Sequence, residues 1–564
     1  MPEILHNPAA TPGETGSPLR NLVINSGLLV LSAVFFTLPQ PNILSVHGFP
    51  IFAWVAFVPA FVLIRRVSFR ASFIWGALYG VLSYCFFTYW LAVFHPLAMY
   101  VIAALYCIYY ALAVPCLKLA DMLFPRKGYV VQWLVWIGYE YLKTLGFNGY
   151  SYGVIGYSLW TWPVFIQISA IFGVWGVSAL VVFPSAWIAG AIKPVARQPV
   201  RQWLSNVGPF FKQNRIPAAL WVLFLVFTLG YGLVSPVDYS QAEQFTIALI
   251  QPNSDPWHGG MPAYRRDLRT LMHLSNQALE SDKTIDLVVW PETAFIPRID
   301  WHYRYREDRQ YFDLVHQLLL YIDSAPVPFL LGNDDAFRTM PKEDGEDRLD
   351  YNAALLFRPG FNVVPPVPER YWKMHLVPFT EHFPYRSAFP WVYDLLIATD
   401  THFWEKGTDP TVFKVDTLQF STPICFEDTF GYISRRFVNQ GARAIINLTN
   451  DAWAKSPACQ YQHLSMALFR SVENRVPVIR STASGQTAII DPNGKIVSMA
   501  DPFVETALIG SIPVLQDSGK TPYRIWGDLW GMIFAGAAFL ALVSGLARKA
   551  RSNIIDKDLQ YIDN

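Results

Sequence analysis

The chain has 564 residues, of which 52% are hydrophobic, 16% aromatic and only 15% charged; average soluble domains carry about 25% charged residues, so a single water-soluble globule is excluded. Its 44 basic and 43 acidic residues nearly cancel, and no global field points to a nucleic-acid partner. The five cysteines (Cys85, Cys107, Cys116, Cys425, Cys459) are too few and too scattered for a disulfide framework or a zinc site, and no other metal or cofactor set is evident.

Residues 1–20, rich in Pro, Gly, Thr and Asn, read as a flexible tail. A helix that spans a bilayer needs about 20 mainly apolar residues, and eight runs approach or meet that length: 21–38, 49–64, 71–94, 97–117, 129–145, 164–192, 217–234 and 527–546. The first is longer than a signal-peptide core, and Thr37-Leu38-Pro39-Gln40 offers no cleavage site, which predicts a retained anchor. The second is short enough to be tilted or re-entrant.

Basic residues fall on alternate loops: Arg65, Arg66 and Arg70; then Lys118, Arg126 and Lys127; then Lys193, Arg197, Arg201, Lys212 and Arg215; and finally Arg548, Lys549 and Arg551. The intervening 39–48 loop and the His95-Pro96 turn have none. This alternation predicts cytoplasmic termini and an outward location for everything between the seventh and eighth runs. The aromatic stretch 146–163, with Tyr150, Tyr152, Tyr157, Trp160 and Trp162, also lacks Lys and Arg and predicts an interfacial belt. Glu140 and Lys143 stand three residues apart in the fifth run, either as a functional intramembrane pair or as a helix-end ion pair.

The expected organisation is a seven-span bundle at 21–236, an extramembrane catalytic domain at 237–522, an eighth transmembrane helix at 523–547 and a cytoplasmic tail at 548–564. Within the domain, short β-branched runs at 245–250, 285–290, 329–332, 353–357, 422–426, 444–448 and 478–480 predict strands. Amphipathic stretches at 263–282, 311–323, 432–440 and 459–474 predict helices between them, hence an α/β layered domain.

Functional groups in such domains collect where strands end. Asp286-Leu287-Val288-Val289-Trp290-Pro291-Glu292 puts a carboxylate beyond an apolar strand, where partial burial suits a base. Pro423-Ile424-Cys425-Phe426-Glu427-Asp428 puts a thiol at the end of another. Tyr371-Trp372-Lys373-Met374-His375-Leu376-Val377-Pro378-Phe379-Thr380-Glu381 supplies a cation able to lower the thiol pKa and hold an oxyanion. Each has an ordinary reading by itself: a capping Glu, a packed Cys, a solvated Lys.

Together the three segments resemble the carbon-nitrogen hydrolase (nitrilase) superfamily. The run His375-Leu376-Val377-Pro378-Phe379, with Asn447-Leu448-Thr449-Asn450-Asp451-Ala452-Trp453, Gln462-His463-Leu464 and Arg470-Ser471-Val472-Glu473-Asn474, is similar more specifically to the apolipoprotein N-acyltransferase family of bacterial envelopes. The resemblance implies an eight-span bundle with an αββα nitrilase-like domain inserted before the last span, in the bacterial inner membrane, with the domain on the periplasmic face. It implies Glu292 as general base, Cys425 as nucleophile and Lys373 as oxyanion-stabilising cation, supported by Glu381, Glu427 and Phe426. Trp257 and Trp453 are its candidate substrate-binding residues. The implied substrates are a phospholipid acyl donor and a diacylated apolipoprotein acceptor, handled by a monomer without metal or cofactor. Thr380, Ala454 and Ala483-Ser484 depart from the family pattern in loops near the pocket and bear on substrate preference. Cys459 receives no role. A membrane-tethered amidase and a catalytically silent envelope scaffold are the alternatives.

Overall fold

The computed structural model describes residues 18–94, 97–192, 203–204, 207–256, 259–340, 347–398, 401–516 and 519–562. The chain forms two compact units, one from the residues up to Val234 together with those from Asp528 onward, the other Ser235–Gly527.

In the first unit, five helices among the described residues are long and apolar enough to cross a membrane: Pro18–Thr37, Ala98–Leu123, Val174–Ala191, Arg215–Val234 and Leu529–Ser552. In the best apolar stretch of Val174–Ala191, 78% of the residues are buried, against 11% for Arg215–Val234. The former is therefore the core of the bundle, and the latter turns apolar side chains outward. Small residues set the close approaches. A Cβ on Gly80 of helix Phe69–Phe87 would lie 2.9 Å from the Tyr110 Cβ of Ala98–Leu123, and one on Gly138 would lie 2.9 Å from the Ala535 Cα.

The other expected runs are shorter or broken. Run 49–64 divides into a 3₁₀ turn, Pro50–Val55, and helix Val58–Arg66, each with a proline at its start where no N–H is needed. Run 71–94 is Phe69–Phe87 followed by Leu91–Phe94, and run 129–145 is Gly128–Leu142. Run 164–192 breaks before Val174 because Gly173 takes φ 62°. The basic residues Lys193, Arg197 and Arg201 and the His95-Pro96 turn lie outside the described residues.

The stretch 146–163 is not an exposed belt: Tyr152, Tyr157 and Trp160 are buried within this unit. The pair expected to be functional or merely structural supplies the reason. Glu140 accepts from the Ile155 N–H at 3.0 Å, from Ser178 Oγ at 2.6 Å and from Trp136 Nε1 at 3.2 Å. Lys143 Nζ donates to Tyr84 Oη and to the Tyr152 carbonyl, both at 2.7 Å. Both charges thus tie the aromatic loop into the bundle.

Among its described residues the second unit has twelve strands: β1 (Glu243–Gln251), β2 (Leu287–Val289), β3 (Phe329–Arg338), β4 (Arg348–Phe357), β5 (Glu369–Trp372), β6 (Val412–Val415), β7 (Leu418–Ser421), β8 (Ala444–Thr449), β9 (Val478–Thr482), β10 (Ala488–Ile490), β11 (Ile496–Met499) and β12 (Thr506–Val514). They form two six-stranded sheets, ordered β12-β1-β2-β3-β4-β5 and β11-β10-β9-β8-β7-β6. β2, parallel to both β1 and β3, is apolar throughout because neither face meets water. Leucines at helical spacing on Met261–Ser281 (Leu268, Leu271) and Arg309–Asp323 (Leu314, Leu318) bury against Ala248, Val288 and Leu331 of the first sheet. Polar cross-links join the sheets: Thr487 Oγ1 donates to Gln251 Oε1 at 2.7 Å, and Asn253 N to the Ala483 carbonyl at 2.8 Å.

Candidate active site

Trp290 still donates to Leu330 of β3 at 2.8 Å, but Pro291 has no N–H with which to extend β2. Thr293 then takes φ 48°, and the Glu292 side chain is buried at 5% exposure. Its Oε1 accepts from Asn352 Nδ2 of β4 at 2.8 Å and from Lys373 Nζ at 3.3 Å, while Oε2 accepts from the Asn450 N–H at 3.0 Å. Gly332 of β3 makes room for this turn, since a Cβ there would lie 2.6 Å from the Glu292 Cα. Gly332→Ala is expected to lower stability by about 1–3 kcal/mol, because the obstruction is backbone rather than a flexible side chain. Thermal unfolding alongside turnover checks this: both should fall, and an unchanged melting temperature would refute the close-approach role.

Lys373 follows β5 and continues its edge, donating N–H to Asn352 O and accepting from Gly407 N, both at 2.9 Å. The side chain is fully buried. Nζ donates to Glu381 Oε1 at 2.7 Å as well as to Glu292. Glu381 reaches it through a tight turn at Phe379 (φ 65°) that contains Thr380, and its Oε2 accepts from Val377 N at 2.8 Å. Burial by itself would depress the ammonium, but Glu381 and Glu292 outweigh it and hold Lys373 above the ordinary lysine range, so it stays charged.

The strand expected at 422–426 ends at Ser421, with only an isolated bridge between Ile424 and Leu448 beyond it. Cys425 instead opens a 3₁₀ turn, Cys425–Thr429, with φ 49°. A left-handed backbone costs a residue with a Cβ about 1–2 kcal/mol, so neighbouring structure must hold it. Glu427 does so. Its Oε2 accepts from the Ile424 N–H, its Oε1 from the Met374 and His375 N–H groups, and the Tyr371 hydroxyl donates between them, all at 2.8 Å. This carboxylate therefore joins the Cys425 turn to the segment bearing Lys373. Phe426 packs its ring 5.0 Å from Phe430 and 5.8 Å from His375. Glu427→Gln would set an amide N–H₂ against the Ile424 or the Met374 and His375 donors; a stability loss of about 1–3 kcal/mol is expected for the unsatisfied donors, with turnover falling at least in proportion. Retention of both would remove Glu427 from this role.

Burial pushes the Cys425 thiol well above its ordinary value; Glu292 adds to the rise, and Lys373 opposes it without winning. The lysine alone therefore does not produce a resting thiolate, contrary to the charge argument made from the sequence. The thiol rests protonated, with a carboxylate and an ammonium in electrostatic reach: an arrangement for proton removal by Glu292 as attack occurs, and for stabilisation of an oxyanion by Lys373.

The remaining expected residues are more dispersed. Trp257 lies outside the described residues. Trp453 is half-buried in the short 3₁₀ turn Ala452–Ala454, three residues beyond Asn450. Ala483 and Ser484 offer their carbonyls to Asn253 and to Gln460 Nε2, the latter at 2.8 Å. Cys459 is a buried free thiol, also raised by burial.

Three features were missed. Asn352 lies just outside the strand expected at 353–357, whereas the observed strand starts at Arg348 and includes it. Tyr371 stands two residues before Lys373, and nothing local in the sequence announces its Glu427 partner. Arg480 is buried in β9 and meets Asp428 and Asp451; a charge inside Val478-Ile479-Arg480 was the available signal, since a buried guanidinium requires a partner.

Comparison with known proteins accords with this geometry. Residues 246–521 match the carbon-nitrogen hydrolase family, and residues 32–187 match the apolipoprotein N-acyltransferase N-terminal domain. The chain is similar to apolipoprotein N-acyltransferase 1 of Treponema denticola, 48% identical over 518 residues that span 90% of this chain and 94% of that protein. It is similar also to apolipoprotein N-acyltransferase 1 of Treponema pallidum, 46% identical over 92% of this chain and 95% of that protein. A more distant relative, the apolipoprotein N-acyltransferase of Geobacter metallireducens, is 28% identical over 93% and 95% of the two chains.

Proposed function

The chain belongs to the apolipoprotein N-acyltransferase family, and from that premise we propose that its acyl transfer runs through a thioester on Cys425. The protein is a membrane-bound acyltransferase of lipoprotein maturation. The observation that carries the thioester reading is the convergence of Glu292 and Lys373 on a protonated thiol held in a strained turn.

Glu292 takes the Cys425 proton as sulfur attacks the ester carbonyl of a phospholipid acyl chain. Lys373, with a backbone N–H near Cys425, holds the tetrahedral oxyanion, where one donor is typically worth about 3–4 kcal/mol. Collapse forms the thioester and breaks the ester C–O bond, and Glu292 returns the proton to the departing oxygen, which releases the lysophospholipid. The α-amine of the diacylglyceryl-cysteine at an apolipoprotein's N-terminus then attacks the thioester. Glu292 manages the proton in reverse, and the acceptor leaves triacylated. Glu381 orients Lys373, and Trp257 and Trp453 contact the lipid substrates.

The membrane supplies the donor as well as the anchor: drawing an acyl chain into water costs about 0.8 kcal/mol per CH₂. We place eight crossings in the chain, with cytoplasmic termini, residues 237–522 on the periplasmic face of the inner membrane and an αββα layering of the catalytic domain. The alternating loop cations support the orientation, and the paired six-stranded sheets support the layering.

Mass spectrometry of the purified chain after incubation with phospholipid alone tests the scheme. The expected result is an acyl adduct on Cys425 that is discharged by a diacylated lipopeptide. Full activity without an adduct would overturn it, and ammonia release from a small amide without lipid would favour an amidase.

A further inference from the structure

A second group of charges is anchored in the turn that opens at the nucleophile. His463, on helix Pro457–Asn474, places Nε2 2.7 Å from Asp428 Oδ1 and Nδ1 2.8 Å from Asp451 Oδ1. Arg480 of β9 closes the group from the other side, through Nη1 to Asp428 Oδ2 and, at 3.2 Å, through Nη2 to Asp451 Oδ2. All four side chains are buried, Asp451 being the most exposed at 7%. Each imidazole nitrogen faces an Asp oxygen at hydrogen-bond distance, and an ionised carboxylate only accepts, so the arrangement suits a ring with hydrogen on both nitrogens, an imidazolium. The result is a closed, alternating ring of two anions and two cations with no net charge, so that each buried charge faces charges of opposite sign.

Its two carboxylates sit at informative places. Asp428 belongs to the Cys425–Thr429 turn, three residues from the strained Cys425. Asp451 follows Asn450, whose N–H donates to Glu292 Oε2. We propose that His463, as an imidazolium between Asp428 and Asp451, is a positioning residue that couples the turn bearing the nucleophile to the loop that donates to the general base. The proposal rests on the reading of Cys425 and Glu292 given above. It assigns His463 no contact with substrate; its effect passes through the geometry of those two segments.

The charged and titratable groups around the imidazole include Asp428 from the 3₁₀ turn, Asp451 from the loop after β8 and Arg480 from β9, with the Cys459 thiol one turn earlier on its own helix beside Asp451. Burial and Arg480 lower the His463 pKa, but Asp451 and Asp428 outweigh them and carry it to about 9. Because this value lies above the ordinary one for histidine, the ring's contribution is complete below that ordinary value and is lost as pH rises through about 9. Lys373, held higher still, keeps its charge across that range.

The test measures the first half-reaction, release of lysophospholipid from full-length enzyme in detergent–phospholipid micelles, so that titration of the acceptor amine does not enter. Wild-type enzyme is expected to lose rate between pH 8 and 10 with a midpoint near 9. His463→Gln should be slowed about 10- to 100-fold, as for loss of one charge-assisted hydrogen bond, with phospholipid KM little changed and the alkaline decline gone. Asp451→Asn, which removes one anion from the imidazolium, should move the decline by about one pH unit toward acid. A wild-type rate that is flat through pH 10 would overturn the proposal, as would an Asp451→Asn decline at the wild-type midpoint or a His463→Gln variant within threefold of wild type. If His463→Gln does not fold, the wild-type and Asp451→Asn profiles decide. Absence of any acyl adduct on wild-type Cys425 would sink the thioester scheme and this inference together, whereas an adduct with none of these pH signatures would sink this inference alone.

Discussion

Glu292→Gln is expected to reduce the first half-reaction by about 10³-fold or more, within the range that a positioned general base supplies together with its local electrostatics. The substitution preserves shape and leaves an oxygen to accept from Asn352 Nδ2, but its amide nitrogen would face the Asn450 N–H that now donates to Oε2. One donor is left without an acceptor, so stability should also fall, by about 1–3 kcal/mol. That cost is too small to explain the loss of rate. A second readout separates the base role from misfolding. Glu292 is one reason the Cys425 thiol lies above its ordinary value, and removing its charge should let the thiol ionise at lower pH. Alkylation of Cys425 at fixed alkaline pH should therefore speed up in the variant while lysophospholipid release collapses. A rate within tenfold of wild type would exclude Glu292 as the base.

Lys373→Met should be the most damaging single change to both fold and chemistry. The ammonium has no solvent exposure and contacts two carboxylates, Glu381 at 2.7 Å and Glu292 at 3.3 Å. Removing it strands both anions in a buried site, a situation that costs about 3–5 kcal/mol, and it deletes the proposed oxyanion donor, typically worth about 10²–10³-fold in rate. The pH dependence of the instability has a definite sign. Without the lysine, burial and mutual repulsion raise a carboxyl pKa in the folded state above its unfolded value, so the folded variant prefers the protonated form. The deficit should grow as pH rises through the unfolded and then the folded pKa, and shrink as pH falls. Thermal unfolding of variant and wild type across pH 4–8 reads this directly. A deficit that is constant with pH, or a variant as active as wild type, would contradict the buried three-charge site.

Both variants depend on one physical feature: Lys373 is wholly shielded from water and is held between two carboxyl side chains, Glu381 and Glu292. The ring around His463 repeats the device for Asp428 and Asp451. The strained Cys425 backbone is bracketed by hydrogen bonds to its own turn, to the Lys373 segment and, through Asp428, to β9 and helix Pro457–Asn474.

Composition and period were enough to divide this protein into an apolar helical part and an α/β part, because burying an apolar run and alternating polarity along a strand are local demands that any window of sequence displays. Glu292, Lys373 and Cys425 were legible for a related reason: each stands at the end of an apolar run, where ionisable groups are conspicuous, and their joint pattern carries the family resemblance. Tertiary structure decided what local windows could not hold. Cys425 leaves its strand for a left-handed turn because Glu427 gathers donors from a segment some fifty residues earlier. The aromatic stretch after Lys143 folds inward because Glu140 and Lys143 satisfy its backbone. Arg480, His463, Asp428 and Asp451 become one neutral ring only when a strand, a helix, a turn and a loop meet. Each of these depends on a buried polar group finding a partner distant in sequence. Apolar burial is non-directional and declares itself residue by residue, whereas a hydrogen bond needs a particular atom in a particular place, and only the folded chain brings that atom there.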